Sequence, residues 1–422
     1  MDQFDVTNIL KEKPYFCVAP WVHQYVGPVG DVKPCCVYQH DKNLGNLKCD
    51  SLKKIWNNDT TKKLRMDLLN GVKREECSWC NDRERPFKDN FNKLYFSDRP
   101  DLQEIVKNTL PDGTVPEHQM YYLDIRFSNL CNFKCRTCGP HFSTSIATEE
   151  KELYPNKFMP TMHYPGTTED QVFNEIVPHL PNIIEAYFAG GEPMMQKQHY
   201  QTLEKLIEIG NTDISIRYNT NFSKLKLGKW NVLEYWKHFK QVIVMASIDA
   251  RYERGEYWRK GTVWEETLEN RKMMIRECPN VQFILASTIS WVNALDWVDM
   301  HKQWVMEGLL KVDDIMVNES VTPPWFCMKN IPDWKKEQIE KKFKTHIMWL
   351  KSQGADEQTI FKVQSAINFM YSDIKKIEFP FEDFHRMIKQ FDVHRNERFF
   401  DVFPEHVDMK EYIEANGFKF DY

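Results

Sequence analysis

The chain has 422 residues, 42% hydrophobic and 14% aromatic, which is more than one ordinary core uses and enough for a large α/β unit plus a smaller module. A formal net charge of -5 argues against a dominant phosphate-binding role, since nucleic-acid binders present a strongly basic face. Apolar runs such as Val242–Ala246 are far too short to cross a bilayer, and Met1-Asp-Gln-Phe-Asp lacks the basic and apolar regions of a secretory signal, so a soluble cytoplasmic protein without a membrane partner is expected.

Residues 1–95 read as a compact cysteine-rich α+β module. Tyr25-Val-Gly27-Pro-Val-Gly30-Asp-Val reads as a hairpin with glycines at its turn, and Pro34-Cys35-Cys36-Val37 as its returning strand. Leu44–Leu47 makes another turn. Ser51 is the expected N-cap of a helix running toward Trp56, and a second helix over Thr61–Asn70 ends at Gly71. A charged, proline-punctuated connection over Arg83–Arg99 and Pro111–Pro116 follows. From Tyr121 the chain alternates between states. β-rich runs fall at Tyr121–Phe127, Ile184–Phe188, Ile214–Tyr218, Val242–Ile248, Val281–Ile289 and Ile315–Val317, with helical stretches at Gln196–Ile209, Val263–Glu277 and Ala294–Met306 between them. Strands separated by helices predict right-handed crossovers and a parallel sheet, here a partial (β/α)6 TIM-like barrel over residues 118–325. Pro155–Gly166 exceeds what a crossover needs and is read as a substrate-facing loop. Residues 326–422 form a helical extension. Asp333–Ser352 carries Ile339, Phe343, Ile347 and Leu350 on one face with lysines opposite, a docking stripe, and Asp356–Tyr371 follows. The remaining polar and aromatic tail shows no chemistry of its own.

Of the 11 cysteines, nine lie within the first 138 residues, while Cys278 and Cys327 stand alone and read as small buried side chains. A disulfide framework belongs to short secreted domains, so clustered cysteines here read as metal or redox ligands. Cys17, Cys35, Cys77 and Cys80 form one set, which a hairpin and a CxxC knuckle bring to one centre. Cys36 is an alternative to Cys35, only one of two neighbouring strand residues facing the centre. Taken alone, the set suits a structural zinc site as well as an iron–sulfur cluster. The second set, Cys131-Asn-Phe-Lys-Cys135-Arg-Thr-Cys138, follows the first barrel strand. Three thiolates on one loop can each ligate one iron of a four-iron cluster and leave the fourth iron open, as a catalytic site requires. A zinc site completed by His141 is the plain alternative. Further polar groups gather at the same carboxyl edge of the sheet, where functional loops collect. They are Gly190-Gly191-Glu192-Pro193 after the second strand, Asn219-Thr-Asn221 after the third, and Ser247-Ile-Asp249 after the fourth.

This ordered set resembles the radical SAM superfamily, with CxxxCxxC after strand one, GGEP after strand two and a Ser/Asp segment near strand four. The resemblance implies a 4Fe-4S cluster on Cys131, Cys135 and Cys138, with S-adenosylmethionine chelating its open iron. Gly190, Gly191, Glu192 and Pro193 would form the turn that holds the methionyl ammonium, and Ser247, Asn219, Asn221 and Asp249 would contribute to the same cofactor site. Arg259 is the candidate for the cofactor carboxylate. An aromatic residue often precedes the third cysteine in that superfamily, but here it is Thr137, which leaves adenine to Ile289 or Val321. The first 95 residues resemble the SPASM/twitch domain of the same superfamily, implying an auxiliary 4Fe-4S cluster on Cys17, Cys35, Cys77 and Cys80. In this chain that domain precedes the barrel instead of following it. The implied activity is reductive cleavage of S-adenosylmethionine to a 5′-deoxyadenosyl radical. That radical would abstract a substrate hydrogen, for net oxidation or modification of a peptide side chain or a small alcohol or sugar. A reductase, flavodoxin or ferredoxin would supply electrons. The alternative is a cluster-bearing binding or electron-transfer protein that holds S-adenosylmethionine without turnover. No catalytic acid or base is assigned.

Overall fold

The computed structural model describes residues 5–81, 87–156, 160–373 and 375–422; part of the Pro155–Gly166 loop and part of the Arg83–Arg99 connection lie outside them. In chain order the strands are β1 (Tyr25–Val26), β2 (Asp31–Lys33), β3 (Gly45–Asn46), β4 (Tyr122–Ile125), β5 (Lys134–Cys135), β6 (Glu185–Phe188) and β7 (Ser215–Thr220). They continue with β8 (Lys226–Leu227), β9 (Trp230–Asn231), β10 (Gln241–Ala246), β11 (Arg259–Lys260), β12 (Gln282–Ile289) and β13 (Ile315–Glu319). The chain divides into two compact units. The first holds residues 1–131, 160–218 and 226–242, and the second holds residues 132–159, 219–225 and 243–422.

In the first unit β4 pairs in parallel with β6, and β6 with β7. Alternation explains the layering. Leu123, Ile125, Ala186, Phe188, Ile216 and Tyr218 are all buried and apolar or aromatic, while Asp124, Arg126, Glu185 and Arg217 occupy the opposite face. Between β6 and β7 the helix Lys197–Glu208 makes the crossover, burying Tyr200, Leu203 and Leu206. The N-terminal hairpin does not stand apart, because Val26 of β1 pairs in parallel with Ile125 of β4, and β2 and β3 continue outward as antiparallel neighbours. Gly30 takes φ +94° at the hairpin turn, a conformation closed to most side chains. The returning strand is Asp31–Lys33 and not Pro34–Val37, which forms a turn, because proline brings no N–H to a ladder. Ser51 caps its helix by accepting from the Lys54 N–H, as expected. On the helix Asp59–Leu69 the fully buried Arg65 lies 4.6 Å over Trp56 and donates to the carbonyls of Pro20 and Gly113.

The second unit repeats the alternation. β12 lies between β10 and β13, parallel to both, and the helices Trp264–Glu277 and Ala294–Met306 connect them. Trp297, Met300 and Trp304 are completely buried, with Trp297 packed 5.9 Å from Phe343 of the helix Asp333–Ser352. The docking stripe is therefore used as read. Its lysines are not all on a solvated face, since Lys335 is buried and donates to Asp408 at 2.8 Å. Further helices at Phe381–Arg395 and Val407–Ala415 complete the extension, with Phe384, Phe399 and His406 packed around Trp291. The α/β class is as expected, the pairings of β4 with β6, β6 with β7, β10 with β12 and β12 with β13 are parallel, and each of these strands lies within about two residues of its predicted ends. No helix among the described residues is long and apolar enough to cross a membrane.

Burial holds the imidazoles of His23, His301 and His406 down at about 4, that of His199 at about 3 and that of His346 at about 2. The unfolded chain therefore takes up protons that the folded one refuses. Stability is full above the unfolded value near 6.5 and is lost as pH falls toward 4, each such histidine adding up to about 1.4 kcal/mol per pH unit. Urea midpoints are expected to drop steadily over that range; a flat profile would contradict the burial argument.

Candidate metal centre

In the first unit β4 runs into Ser128-Asn129-Leu130-Cys131, and this approach is fixed by side-chain hydrogen bonds. Ser128 Oγ donates to Gln196 at 3.2 Å and accepts from the Leu130 N–H at 3.1 Å. Asn129 donates to the Thr161 carbonyl and accepts from the His163 N–H. The Gly190–Pro193 turn is built onto the same segment, with the Glu192 N–H donating to the Leu130 carbonyl at 2.7 Å. Gly191 sits at φ +53°, and a Cβ there would lie 2.4 Å from that carbonyl oxygen; a Cβ on Gly190, at φ +75°, would strike the Arg126 side chain. The glycine pair thus admits protein neighbours, the segment entering Cys131 above all. Glu192 is fully buried and caps the Pro193–Met195 turn by accepting from the Met194 N–H.

In the second unit the loop continues from Asn132. Its amide donates to Ser223 Oγ and its carbonyl accepts from Asn221, so Asn221 serves as a loop anchor. β5 pairs antiparallel with β11, setting Cys135 opposite Arg259. Gly261, at φ +112°, lets that ribbon lie close, since a Cβ there would stand 2.8 Å from the Phe133 ring. Arg259 donates to the buried Asp249 at 2.7 Å and reaches within 3.9 Å of Cys135 Sγ. Asp249 also accepts from the Thr288 N–H, so it orients Arg259 beside the cysteine. Burial pushes the Cys135 thiol up to about 12, and the Arg259 cation opposes it most. Cys138 is exposed, Ser247 follows β10 with its N–H bound to the Thr220 carbonyl, and Asn219 lies inside β7 instead of after it. The side-chain oxygen of Asn219 is buried without a hydrogen-bond partner among the described residues. Of the two adenine candidates, Ile289 is wholly buried and Val321 is half exposed.

The other four cysteines meet in the first unit. Cys17 precedes the helix Ala19–Val22, Cys35 follows β2, Cys77 closes the turn Glu75–Cys77 and Cys80 lies in the helix Ser78–Asn81. All four line one cavity with Tyr15, Leu64, Leu68 and Phe87, and Lys88 is its one charged wall among the described residues. Cys36 and Cys49 do not reach it. Among the described residues no three His, Cys, Asp or Glu side chains converge as one metal ion requires.

The cavity cysteines lie within a stretch that matches a known domain family. Residues 17–82 match the SPASM family, an iron–sulfur cluster-binding domain. No curated protein matches the chain. Among solved structures, anSMEcpe with bound AdoMet is 16% identical, with 53% of this chain and 59% of that one covered at a TM-score of 0.37. Streptococcus suis SuiB bound to S-adenosylmethionine shares 15% identity over 69% of this chain and 64% of its own, at a TM-score of 0.36. The chain thus spans less than two thirds of the length of either, and both likenesses are faint.

The donor set suits the cluster that gives the SPASM domain its description. Burial pushes Cys17 and Cys77 up to about 12, and Cys35 and Cys80 upward as well, with the neighbouring thiols adding to the rise for the first three. Four thiolates in an apolar cavity need a compensating cation, which cluster iron supplies. The structure also separates Cys35 from Cys36. The Cys36 thiol lies against the Asp124 carboxylate beside Arg126, which donates to Asp124. Turn geometry after Pro34 produces the divergence, where strand alternation had been expected. Cys36→Ser is therefore expected to leave the iron content unchanged, whereas Cys35→Ser lowers it by up to about four atoms per chain. Iron analysis of both variants checks this, and loss of iron on Cys36→Ser would reverse the assignment.

Proposed function

We infer that the chain is a radical SAM enzyme. Cys131, Cys135 and Cys138 hold a 4Fe-4S cluster with one open iron, and Cys17, Cys35, Cys77 and Cys80 hold an auxiliary cluster. The observation that carries this reading is the seating of the Gly190–Pro193 turn on Leu130, immediately before the first loop cysteine, by a 2.7 Å hydrogen bond that only glycine at 191 permits. The glycine turn and the approach to Cys131, about 60 residues apart in sequence, are thereby joined within the first unit.

On this reading residues 118–325 form the catalytic core, residues 1–95 the auxiliary-cluster domain and residues 326–422 a helical extension. S-adenosylmethionine, bound at the open iron and reduced by one electron, supplies a radical able to abstract hydrogen. The chain's own groups bind and orient it. Asn219 offers its unpartnered carbonyl oxygen, Ser247 its hydroxyl, and the Gly190–Glu192 turn its backbone, while Arg259 sets the charge beside Cys135. An auxiliary cluster with four protein thiolates keeps no open iron and accepts an electron without binding substrate, which makes the net reaction an oxidation. Substrates of that kind are a peptide side chain or a small alcohol or sugar, with a flavodoxin- or ferredoxin-type donor priming the first cluster. Anaerobic reconstitution followed by strong reductant and S-adenosylmethionine tests the reading. 5′-Deoxyadenosine is expected, and its absence from protein carrying both clusters would favour a binding or electron-transfer role.

A further inference from the structure

The tail that showed no chemistry in sequence grips the cysteine loop. Arg136, between Cys135 and Cys138, is only 4% exposed, and its guanidinium donates at 2.7 Å to both Asp392 and Glu397. One face of it stacks 3.7 Å from the Tyr257 ring, and its backbone N–H donates to the Trp258 carbonyl. Asp392, fully buried near the end of the helix Phe381–Arg395, is saturated. One oxygen accepts from Arg136 and the Tyr257 hydroxyl, the other from the Phe399 N–H and the Tyr422 hydroxyl. Asn396 turns the chain at φ +52°, and Glu397 then reaches back to Arg136 while its other oxygen takes Lys260 at 2.7 Å. Arg395 closes the grip by donating to the Lys134 carbonyl and to both oxygens of the buried Glu149. Residues 134–136 are thus bound by backbone from β11 and by charge from residues 392–397.

We propose that Arg136, Asp392 and Glu397 form a positioning group that sets both the geometry and the electrostatic potential of Cys135 and Cys138. The inference rests on the reading of Cys131, Cys135 and Cys138 as cluster ligands. Two cations, Arg136 and Lys260, face two carboxylates, so the group is balanced as built. Removing one member leaves an uncompensated charge in a buried place, close to a centre that gains negative charge on reduction. The direction of the effect follows from the sign of the charge. Without a carboxylate the net cation favours the reduced cluster; without Arg136 the net anion disfavours it. A group that merely braced the fold would not give shifts of opposite sign. Outer partners of metal ligands also tune affinity, commonly by tenfold or more.

The test is a redox titration of the reconstituted holoprotein, followed by the electron paramagnetic resonance signal that disappears when Cys131, Cys135 and Cys138 are replaced by Ala. Asp392→Asn and Glu397→Gln are expected to raise the midpoint of that signal, and Arg136→Gln to lower it. Each shift should be about tenfold in the reduced-to-oxidised ratio at fixed potential, or about 59 mV for one electron. Arg136→Lys, which keeps the charge, should stay near the wild-type midpoint while binding iron roughly tenfold more weakly. If Asp392→Asn does not fold, Glu397→Gln and the two Arg136 variants carry the comparison. Unchanged midpoints, or shifts of one sign in all charge-removing variants, would overturn the proposal. Wild-type protein showing no signal that depends on the three loop cysteines would instead overturn the cluster reading beneath it.

Discussion

Replacing Cys131, Cys135 and Cys138 together by Ala is expected to lower the iron content of the reconstituted protein from about eight atoms per chain to about four and to abolish 5′-deoxyadenosine formation. The two cysteine sets use separate supports, which is why half the iron should remain. The SPASM cysteines are held by the helix Ala19–Val22, the turn after β2 and the Glu75–Asn81 segment, none of which contains a loop residue. The loop draws instead on the Gly190–Pro193 turn at Leu130, on Asn221 at Asn132 and on β11 at Cys135. The reciprocal replacement of Cys17, Cys35, Cys77 and Cys80 should likewise leave about four irons, now at the loop, with reductive cleavage of S-adenosylmethionine still possible. Loss of all iron in the triple variant would show one shared centre and contradict the two-site reading.

Asp249→Ala should destabilise the protein by about 3–5 kcal/mol, far more than the removal of any exposed ion-pair carboxylate. Asp249 is buried, its partner Arg259 is only 15% exposed at the side chain, and the Thr288 N–H loses its acceptor at the same time. A charge left without its partner in such a place costs its desolvation in full. The comparison is the Lys240–Asp213 pair, where both side chains are at least 70% exposed. Water screens that pair, and Asp213→Ala should cost no more than about 0.5 kcal/mol. Urea denaturation of the two variants measures the contrast. Equal losses would mean that Asp249 is solvated in solution, and the argument that it aims Arg259 at Cys135 would go with it.

Much of this protein is legible along the chain. β-rich runs place the six strands that follow Tyr121 and Ser51 announces its helix, because each depends on residues within a few positions of one another. The two cysteine sets, the glycine pair and the Asn and Ser/Asp clusters were visible for the same reason. What could not be read are contacts between segments far apart in sequence. The pairing of Val26 with Ile125 joins the N-terminal hairpin to a parallel strand with no local signal to announce it. Asn221, read as a cofactor-site residue, donates to Asn132, a partner that spacing along the chain does not reveal. Arg136 finds its carboxylates 256 and 261 residues later, on an extension whose sequence gives no hint of the task.

The sequence by itself determined the chemistry on offer: three thiols on one loop, four in one module, and a glycine turn where a crossover ends. Spacing along the chain was enough for that, because ligand type and loop length are local properties. Only the tertiary structure decided which thiol of the Cys35–Cys36 pair faces the cavity, why Gly191 must lack a side chain, and what holds Cys135 in place. Those answers depend on turn direction, on a carbonyl 2.4 Å from an absent Cβ, and on buried charges that must find partners wherever the fold delivers them.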